Sequence, residues 1–175
     1  MRINILSKIA FILLSFMVVM SSQSSSAESK PAYNQLYDPA RDPSADLLLA
    51  TEAAKKSNKY VLLIVGGEWC TWCKTLGAHL DKEKELAANL KSTFEIMKVN
   101  YSKENKNEEF LNKYPKTKGY PHFFIVNSDA EFISSIDTLP FKKDKAYINQ
   151  PFEKLITHFA DKANKGKVSV KSIGE

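Results

Sequence analysis

Residues 60–74 read Tyr60-Val61-Leu62-Leu63-Ile64-Val65-Gly66-Gly67-Glu68-Trp69-Cys70-Thr71-Trp72-Cys73-Lys74. The first six residues form an unbroken apolar run with β-branched side chains, which predicts a central strand covered on both faces. A Cys-x-x-Cys pair follows closely, and it contains both cysteines of the 175-residue chain. A strand that leads into such a pair at the start of a helix is typical of redox-active thiols.

The spacing of the pair suits thiol–disulfide exchange. In this chemistry a thiolate attacks a disulfide and forms a mixed disulfide, which a second nearby thiol then resolves. We expect Cys70 to be the nucleophile, exposed at the helix N-terminus, where unpaired backbone N–H groups and the helix dipole favour a thiolate. Cys73, one turn further along, is expected to be more buried and to resolve the intermediate.

Other uses of two cysteines fit the sequence less well. A zinc site needs four ligands, and the pair has only His79, His122 and His158 to complete one. Covalent haem attachment needs a histidine directly after the second cysteine, where this chain has Lys74. A bridge across two residues would constrain the unfolded chain very little. We therefore expect no metal and no cofactor, with zinc, copper handling and a structural disulfide kept as alternatives.

The first 27 residues predict a secretory signal peptide. Arg2 and Lys8 are positive, residues 9–20 are largely apolar, and Ser25-Ser26-Ala27 offers small residues for cleavage near Ala27. The apolar stretch is short for a membrane span, which needs about 20 residues. We expect a periplasmic or secreted protein with no stable membrane insertion after cleavage, and an uncleaved anchor is the alternative.

Periodicity and composition predict one α/β domain after the leader. Residues 28–43 are polar and contain proline, which predicts an extended lead-in to a domain over 44–175. The order of the predicted elements favours helices on both faces of a small sheet. Those elements are helices at 44–57, at 70–90 with a bend around Asp81-Lys82, at 107–114 and from 152 to Gly166, with strands at 60–65, 94–100, 122–126 and 131–136. Lysines are scattered among acidic residues, so the net charge of +5 gives no case for binding nucleic acid or a membrane surface.

At three places the sequence resembles the thioredoxin family. The resemblance lies in Trp69-Cys70-x-x-Cys73-Lys74, which is similar to the family's active-site motif, in Lys98-Val99-Asn100, and in Gly119-Tyr120-Pro121, which is similar to its cis-proline loop. It covers most of the chain after residue 27 and implies a thioredoxin fold with a small mixed central sheet. It also implies a cis peptide bond before Pro121.

The resemblance further implies a substrate groove beside the pair. Trp69, Trp72, Tyr120 and Pro121 would line it, and the backbone of Tyr120 would pair with an extended substrate segment. Trp72 either offers an apolar contact to a partner or shields Cys73. The lead-in with its Asp38-Pro39 step and the Gly66-Gly67-Glu68-Trp69 run are similar to secreted or periplasmic members of the family.

Three features of the sequence depart from the cytosolic thioredoxins. Ile64 stands where they carry a buried acid that is thought to help move the proton of the resolving thiol. That proton then needs another route, through water or Glu68. The dipeptide between the cysteines is Thr71-Trp72 and not Gly-Pro, and Tyr120 replaces a small or β-branched residue.

The function implied is a thiol–disulfide oxidoreductase that exchanges disulfides with protein thiols and disulfides. Its direction stays open, because a reductant in an oxidising compartment needs an electron source, for which a membrane electron donor is one candidate. The alternative, favoured by Ile64, is a non-catalytic binding protein of the same fold whose partner affinity is switched by the redox state of the pair. The segment 137–150 is either a specificity insert or a plain connection.

Overall fold

A four-stranded sheet forms the centre of the protein, as seen in a computed structural model that describes residues 31–171 and the side chains of residues 31–161. The signal peptide predicted for residues 1–27 lies outside the described residues and stays a prediction. The strands are β1 Tyr60–Gly66, β2 Phe94–Asn100, β3 His122–Val126 and β4 Phe132–Asp137. The main helices are α1 Pro43–Ser57, α2 Thr71–Lys82, α3 Lys84–Thr93, α4 Glu108–Leu111 and α5 Asn149–Lys171.

The sheet is mixed, with the strand order β2-β1-β3-β4. β1 runs parallel to β2 and pairs Tyr60 with Phe94 at one end and Gly66 with Asn100 at the other. β3 lies antiparallel to β1, and β4 lies antiparallel to β3. The predicted small mixed sheet is therefore confirmed.

Alternation along β1 sends its side chains into two cores on opposite faces of the sheet. The first core contains Leu62 and Ile64 and is covered by side chains of α2, α3 and α5. The second core contains Leu63 and is covered by side chains of α1 and α4. Full burial of one such aliphatic side chain stabilises the fold by about 1.5–3 kcal/mol. The prediction of helices on both faces is confirmed.

Every predicted helix differs from the structure at one or both ends, and α4, for example, ends at Leu111 and not at 114. The cap of α1 is Asp42 and not Ser44, since Asp42 Oδ1 accepts the Ser44 N–H at 2.8 Å and Pro43 takes the first helical position, where its fixed φ suits the helix. The predicted helix over 70–90 is two helices, because Glu83 between α2 and α3 has a ψ of 73°, outside the helical region. Both helices still face the first core.

The last helix continues past Gly166, where the sequence predicted its end. A glycine inside a helix costs about 1 kcal/mol relative to alanine, which does not by itself end a helix. No helix in the described part of the chain is both long and apolar enough to cross a membrane.

The sequence had predicted an extended lead-in, but the described part of the lead-in is not extended throughout. It contains a 3-10 helix at Ala32–Asn34, and its two tyrosines are buried. Tyr33 packs into the second core, where its hydroxyl donates to Glu95 Oε1 at 2.7 Å, and Tyr37 packs into the first. The lead-in is therefore part of the folded unit because its aromatic side chains cover both faces of the sheet.

The segment 137–150, which the sequence left open, is structured. It contains a 3-10 helix at Leu139–Phe141 and a small antiparallel hairpin made of β5 Lys142–Lys143 and β6 Ala146–Tyr147. Phe141 and Tyr147 are buried in the first core. The hairpin is thus anchored on the same face of the sheet as α2.

Replacing Leu62 with alanine tests how far the fold depends on β1. Leu62 is fully buried, so we expect Leu62→Ala to lower the free energy of unfolding by about 2–5 kcal/mol through lost burial and a cavity. The matched control is Leu48→Ala, which removes a leucine that is 66% exposed on α1 and should change stability by less than about 0.5 kcal/mol. Urea denaturation measures both. Equal losses in the two variants would contradict the burial described for β1.

Candidate active site

The two cysteines form a disulfide at the start of α2. Their Cα atoms are 5.2 Å apart, and Cys70 is the N-cap residue of the helix. The Cys73 N–H donates to Cys70 Sγ at 3.1 Å, so sulfur takes the role that a serine or aspartate oxygen plays in other caps. An N–H donor and the positive end of a helix both stabilise a negative sulfur, which favours the thiolate of Cys70 in the reduced protein.

The prediction that Cys70 is exposed is wrong for this disulfide form. Cys70 is 4% exposed and Cys73 is 6% exposed, so neither is more accessible than the other. The physical reason is that the disulfide belongs to the first core, against which Trp72 and Tyr120 also pack. Apolar and aromatic neighbours therefore cover both cysteines while they are joined.

Gly66, at the end of β1, makes room for the second sulfur. A Cβ atom at this position would lie 2.5 Å from Cys73 Sγ and 3.2 Å from Tyr37 Cζ. The first distance is far below van der Waals contact, so the sulfur occupies space that any other residue would fill. The central strand and α2 approach each other this closely because position 66 has no side chain.

Trp69 and Tyr120, both predicted to line a groove, lie in contact. Their rings meet edge to face with centroids 5.6 Å apart, and Tyr120 stacks on Tyr101 at 5.0 Å. Trp69 is 56% exposed, and its Nε1–H donates to the Tyr101 carbonyl at 2.7 Å. The peptide bond between Tyr120 and Pro121 is cis, and the Pro121 carbonyl accepts the Thr138 hydroxyl. Tyr101, which the sequence analysis did not single out, holds this aromatic group together.

Trp72 lies in a different environment from Trp69. Its ring meets Tyr147 edge to face at 5.7 Å, and its carbonyl accepts the Tyr147 hydroxyl at 3.3 Å. Lys142 Nζ lies 4.6 Å from the centre of the Trp72 ring, a cation–π contact. Burial lowers the pKa of Lys142, while the charge of Asp137 acts in the opposite direction. The β5–β6 hairpin therefore holds Trp72 half-buried.

A largely apolar cavity of about 690 Å³ opens beside Trp69. Its volume is within the range of small-molecule and peptide side-chain pockets. Of the predicted groove residues, Trp69 lines this cavity. The other lining residues come from the lead-in, the active-site loop and the loop after β2, and they are Tyr37, Pro39, Glu68, Asn100, Tyr101, Ser102, Lys103, Glu104 and Lys106.

The acidic residues nearest in sequence to the pair do not replace the missing buried acid. Ile64 is buried in the same core as the cysteines. Glu68 is exposed, and its carboxylate accepts the backbone N–H of Tyr37 at 3.1 Å. Among the described residues the buried acid is Asp46, which pairs with Arg41 and lies on α1 at the opposite face of the sheet. Water and the exposed Glu68 therefore stay the predicted routes for the proton of the Cys73 thiol.

Two of the three histidines, His122 and His79, lie in packed surroundings, while His158 is exposed on α5. His122 is buried, with Nε2 2.8 Å from Ser135 Oγ, and its ring lies 4.8 Å from that of Phe124, on the face away from the cysteines. Burial lowers the pKa of His122, and the charge of Asp137 raises it. His79 stacks on Phe152 at 5.9 Å. The described residues contain no cluster of three or more histidine, cysteine or acidic side chains placed to hold a metal ion.

These features define a mixed α/β fold with a Cys-x-x-Cys pair at a strand-to-helix junction, and comparisons with known proteins give the family. A family model described as thioredoxin-like matches residues 42–128. A solved structure of a disulphide isomerase from Xylella fastidiosa Temecula1 is 31% identical over 57% of this chain and 76% of that chain, with a TM-score of 0.51. The chain belongs to the thioredoxin-like family.

Two further solved structures are similar in outline. They are the C-terminal domain of DsbD from Neisseria meningitidis in its oxidised form, at 21% identity and a TM-score of 0.46, and in its reduced form, at 20% identity and a TM-score of 0.48. Each match covers 69% of this chain, with 95% of the oxidised and 96% of the reduced domain. A search of curated proteins found no match.

Adding one methyl group at Gly66 tests the close contact with Cys73. Gly66→Ala would place a Cβ 2.5 Å from a sulfur that the disulfide holds in place, so we expect the oxidised protein to lose about 1–3 kcal/mol of stability through overpacking. Equilibrium urea unfolding measures the loss.

The matched control for this variant is Gly77→Ala. An added Cβ at Gly77, inside α2, meets nothing within 4 Å, so alanine should stabilise that helix by about 0.5–1 kcal/mol. If Gly66→Ala were as stable as the unmodified protein, the sulfur would not occupy the space beside Gly66.

Proposed function

We propose that this protein is a periplasmic or secreted thiol–disulfide oxidoreductase that exchanges disulfides with protein substrates through Cys70 and Cys73. The observation that carries the proposal is that the two cysteines, closed as a disulfide, lie at the start of the helix that follows the central strand, with Cys70 as its N-cap. The likeness to a structure named as a disulphide isomerase, at 31% identity, supports it.

The mechanism starts from the reduced pair. The Cys70 thiolate, stabilised by the N-terminus of α2, attacks one sulfur of a substrate disulfide, and the other substrate sulfur leaves as a thiolate. The Cys73 thiolate then attacks Cys70 Sγ. A new bond forms between the two cysteines, the bond to the substrate breaks, and the substrate leaves with both of its sulfurs reduced. Two electrons pass from the pair to the substrate, and the reverse sequence delivers a disulfide.

We assign substrate contact to the aromatic group around Trp69. An extended substrate segment would pair with the backbone of Tyr120 beside Pro121, by the addition of a strand. Trp69 supports this role because its ring is more than half exposed between Tyr120 and the apolar cavity. Trp72 is held between Tyr147 and Lys142, which favours the role of shielding Cys73 over that of a partner contact.

The proposed compartment rests on the predicted leader. Cleavage near Ala27 would release a domain that carries the lead-in as part of its fold. There the protein would meet protein thiols and disulfides and a redox partner that resets the pair, for which a membrane electron donor is one candidate. Whether the pair reduces, oxidises or isomerises its substrates depends on its potential relative to that partner.

Mixed-disulfide trapping tests the two cysteine roles. Cys73→Ala removes the resolving thiol, so we expect it to stay linked through Cys70 when mixed with insulin, a protein with accessible disulfides. The adduct appears on a non-reducing gel and disappears when dithiothreitol is added. Cys70→Ala is the matched control and should trap little or no insulin.

Two outcomes would overturn the proposal in different ways. Trapping by Cys70→Ala and not by Cys73→Ala would reverse the roles of the cysteines. Absence of insulin reduction by the unmodified protein with dithiothreitol as electron source, together with no adduct in either variant, would contradict the enzymatic function and favour a redox-switched binding protein.

A further inference from the structure

Tyr37 is a buried tyrosine whose ring borders the same space beside Gly66 as the Cys73 sulfur. Cys73 Sγ and Tyr37 Cζ approach the same point beside Gly66, at 2.5 Å and 3.2 Å from the position of an added Cβ. Cζ is the ring carbon that carries the hydroxyl, so the polar end of the ring reaches the space beside the sulfur. Tyr37 is 6% exposed and belongs to the same core as both cysteines.

Contacts with two parts of the fold hold Tyr37 in this place. Its backbone N–H donates to Glu68 Oε1 at 3.1 Å, which ties the lead-in to the active-site loop. Lys98 Nζ lies 5.3 Å from the ring centre and donates to the Gln35 carbonyl at 2.7 Å, which ties the lead-in to β2. Tyr37 also lies before the residues that match the family model, 42–128, so that likeness assigns it no role.

We propose that the Tyr37 hydroxyl donates a hydrogen bond to the Cys73 sulfur in the reduced protein and stabilises the thiolate that resolves the mixed disulfide. The proposal rests on the function proposed above and makes Tyr37 a positioning residue for its second step. Cys73 gives its proton to water, and its thiolate attacks Cys70 Sγ. The Cys73–Cys70 bond forms, the Cys70–substrate bond breaks, and the substrate thiolate leaves and takes up a proton.

The surroundings of Tyr37 keep it a donor and not a base. Burial raises the pKa of Tyr37 above its usual range, and the charge of Glu68 and the neighbouring Tyr147 act in the same direction. The phenol therefore keeps its proton throughout the range in which a thiol titrates. Ile64 stands where the cytosolic thioredoxins carry a buried acid that is thought to assist the resolving thiol. A neutral donor can partly replace that acid, since its hydrogen bond stabilises the thiolate without burying a further charge.

Other groups around the pair also act on the Cys73 thiolate. Glu68 opposes it, while Lys98 beside the Tyr37 ring and Lys142 beside the Trp72 ring favour it. Further titratable side chains near the pair are Tyr120, Tyr147 and His79, and Lys74 follows Cys73 directly in the helix. All of these are retained when Tyr37 becomes phenylalanine, so a change in the Cys73 pKa then reports on the missing hydroxyl.

The test measures the Cys73 pKa directly in a protein that has a single thiol. In the Cys70→Ser background, the ultraviolet absorbance of the thiolate and the rate of alkylation by iodoacetamide are followed against pH. Adding Tyr37→Phe should raise the pKa of Cys73 by about one to two units, since a hydrogen bond to a charged group is lost. An unchanged pKa would overturn the proposal.

The matched control is Tyr33→Phe in the same background. Tyr33 belongs to the same lead-in, but its hydroxyl donates to Glu95 and its ring packs in the second core. The pKa of Cys73 should stay unchanged in this variant. An equal shift in both variants would also overturn the proposal, because it would trace the effect to a loosened lead-in and not to the Tyr37 hydroxyl.

A second measurement separates a lost hydrogen bond from a damaged site. The reduced protein with both cysteines is mixed with the aromatic disulfide dithiobis(nitrobenzoate), and the second release of thionitrobenzoate reports attack by Cys73 on Cys70. Tyr37→Phe should slow this step by about 3- to 10-fold at neutral pH, where fewer Cys73 thiols are ionised. The rate should recover once the pH exceeds the raised pKa. A defect that persists at high pH would contradict the proposal.

Both measurements are independent of any protein substrate. If the protein fails to reduce insulin while Tyr37→Phe still raises the Cys73 pKa, the proposed function fails and the role of Tyr37 stands. If insulin is reduced and the pKa does not move, the reverse holds.

Discussion

The Cys73 sulfur and the backbone of Gly66 share one small space at the end of the central strand. That contact fixes how α2 is placed relative to β1, because the helix carries the sulfur and the strand carries the glycine. With α2 in this place, Cys70 falls at the N-cap, where its sulfur accepts the Cys73 N–H. The ring of Tyr37 borders the same space, so the lead-in, the central strand and the reactive pair meet beside Gly66.

The surroundings of the pair divide into two unlike sides. On one side Trp69 is exposed between Tyr120 and a largely apolar cavity, which offers surface to a partner. On the other side Trp72 is held by the hairpin residues Tyr147 and Lys142. The buried sulfurs therefore have an open aromatic edge on the Trp69 side and a closed one on the Trp72 side. The two tryptophans, which look equivalent in the sequence, therefore have different environments in the fold.

Sequence alone predicted the parts of the fold in which one physical signal dominates. The bounds of β2 and β3 were predicted to the residue, because both are mainly apolar segments between more polar stretches, which mark where each strand begins and ends. The hairpin around Tyr147 was missed, since strands of two residues carry no periodicity. The burial of Tyr37 was also missed, because a lone aromatic residue in a polar segment does not reveal what it packs against.

The candidate site was likewise predicted from the sequence only in part. The Cys-x-x-Cys motif identified both cysteines, yet the exposure expected for Cys70 was wrong because burial depends on neighbours distant in sequence. Ile64 signalled a missing acid but did not indicate Tyr37, which is 27 residues earlier in the chain. Contacts that depend on a glycine's missing side chain, such as that between Gly66 and Cys73, become visible only once the strand and helix are assembled.

The most direct test of whether the Cys70–Cys73 pair undergoes thiol–disulfide exchange is a redox titration against glutathione. The two thiols are counted by alkylation and mass spectrometry. The account predicts one two-electron transition in which both thiols appear together, at a potential between about −120 and −270 mV, with the fold retained. Within this range, a value near about −120 mV would indicate an oxidant and one well below about −200 mV a reductant. A disulfide that stays closed below about −300 mV would behave as a structural bridge and contradict the account.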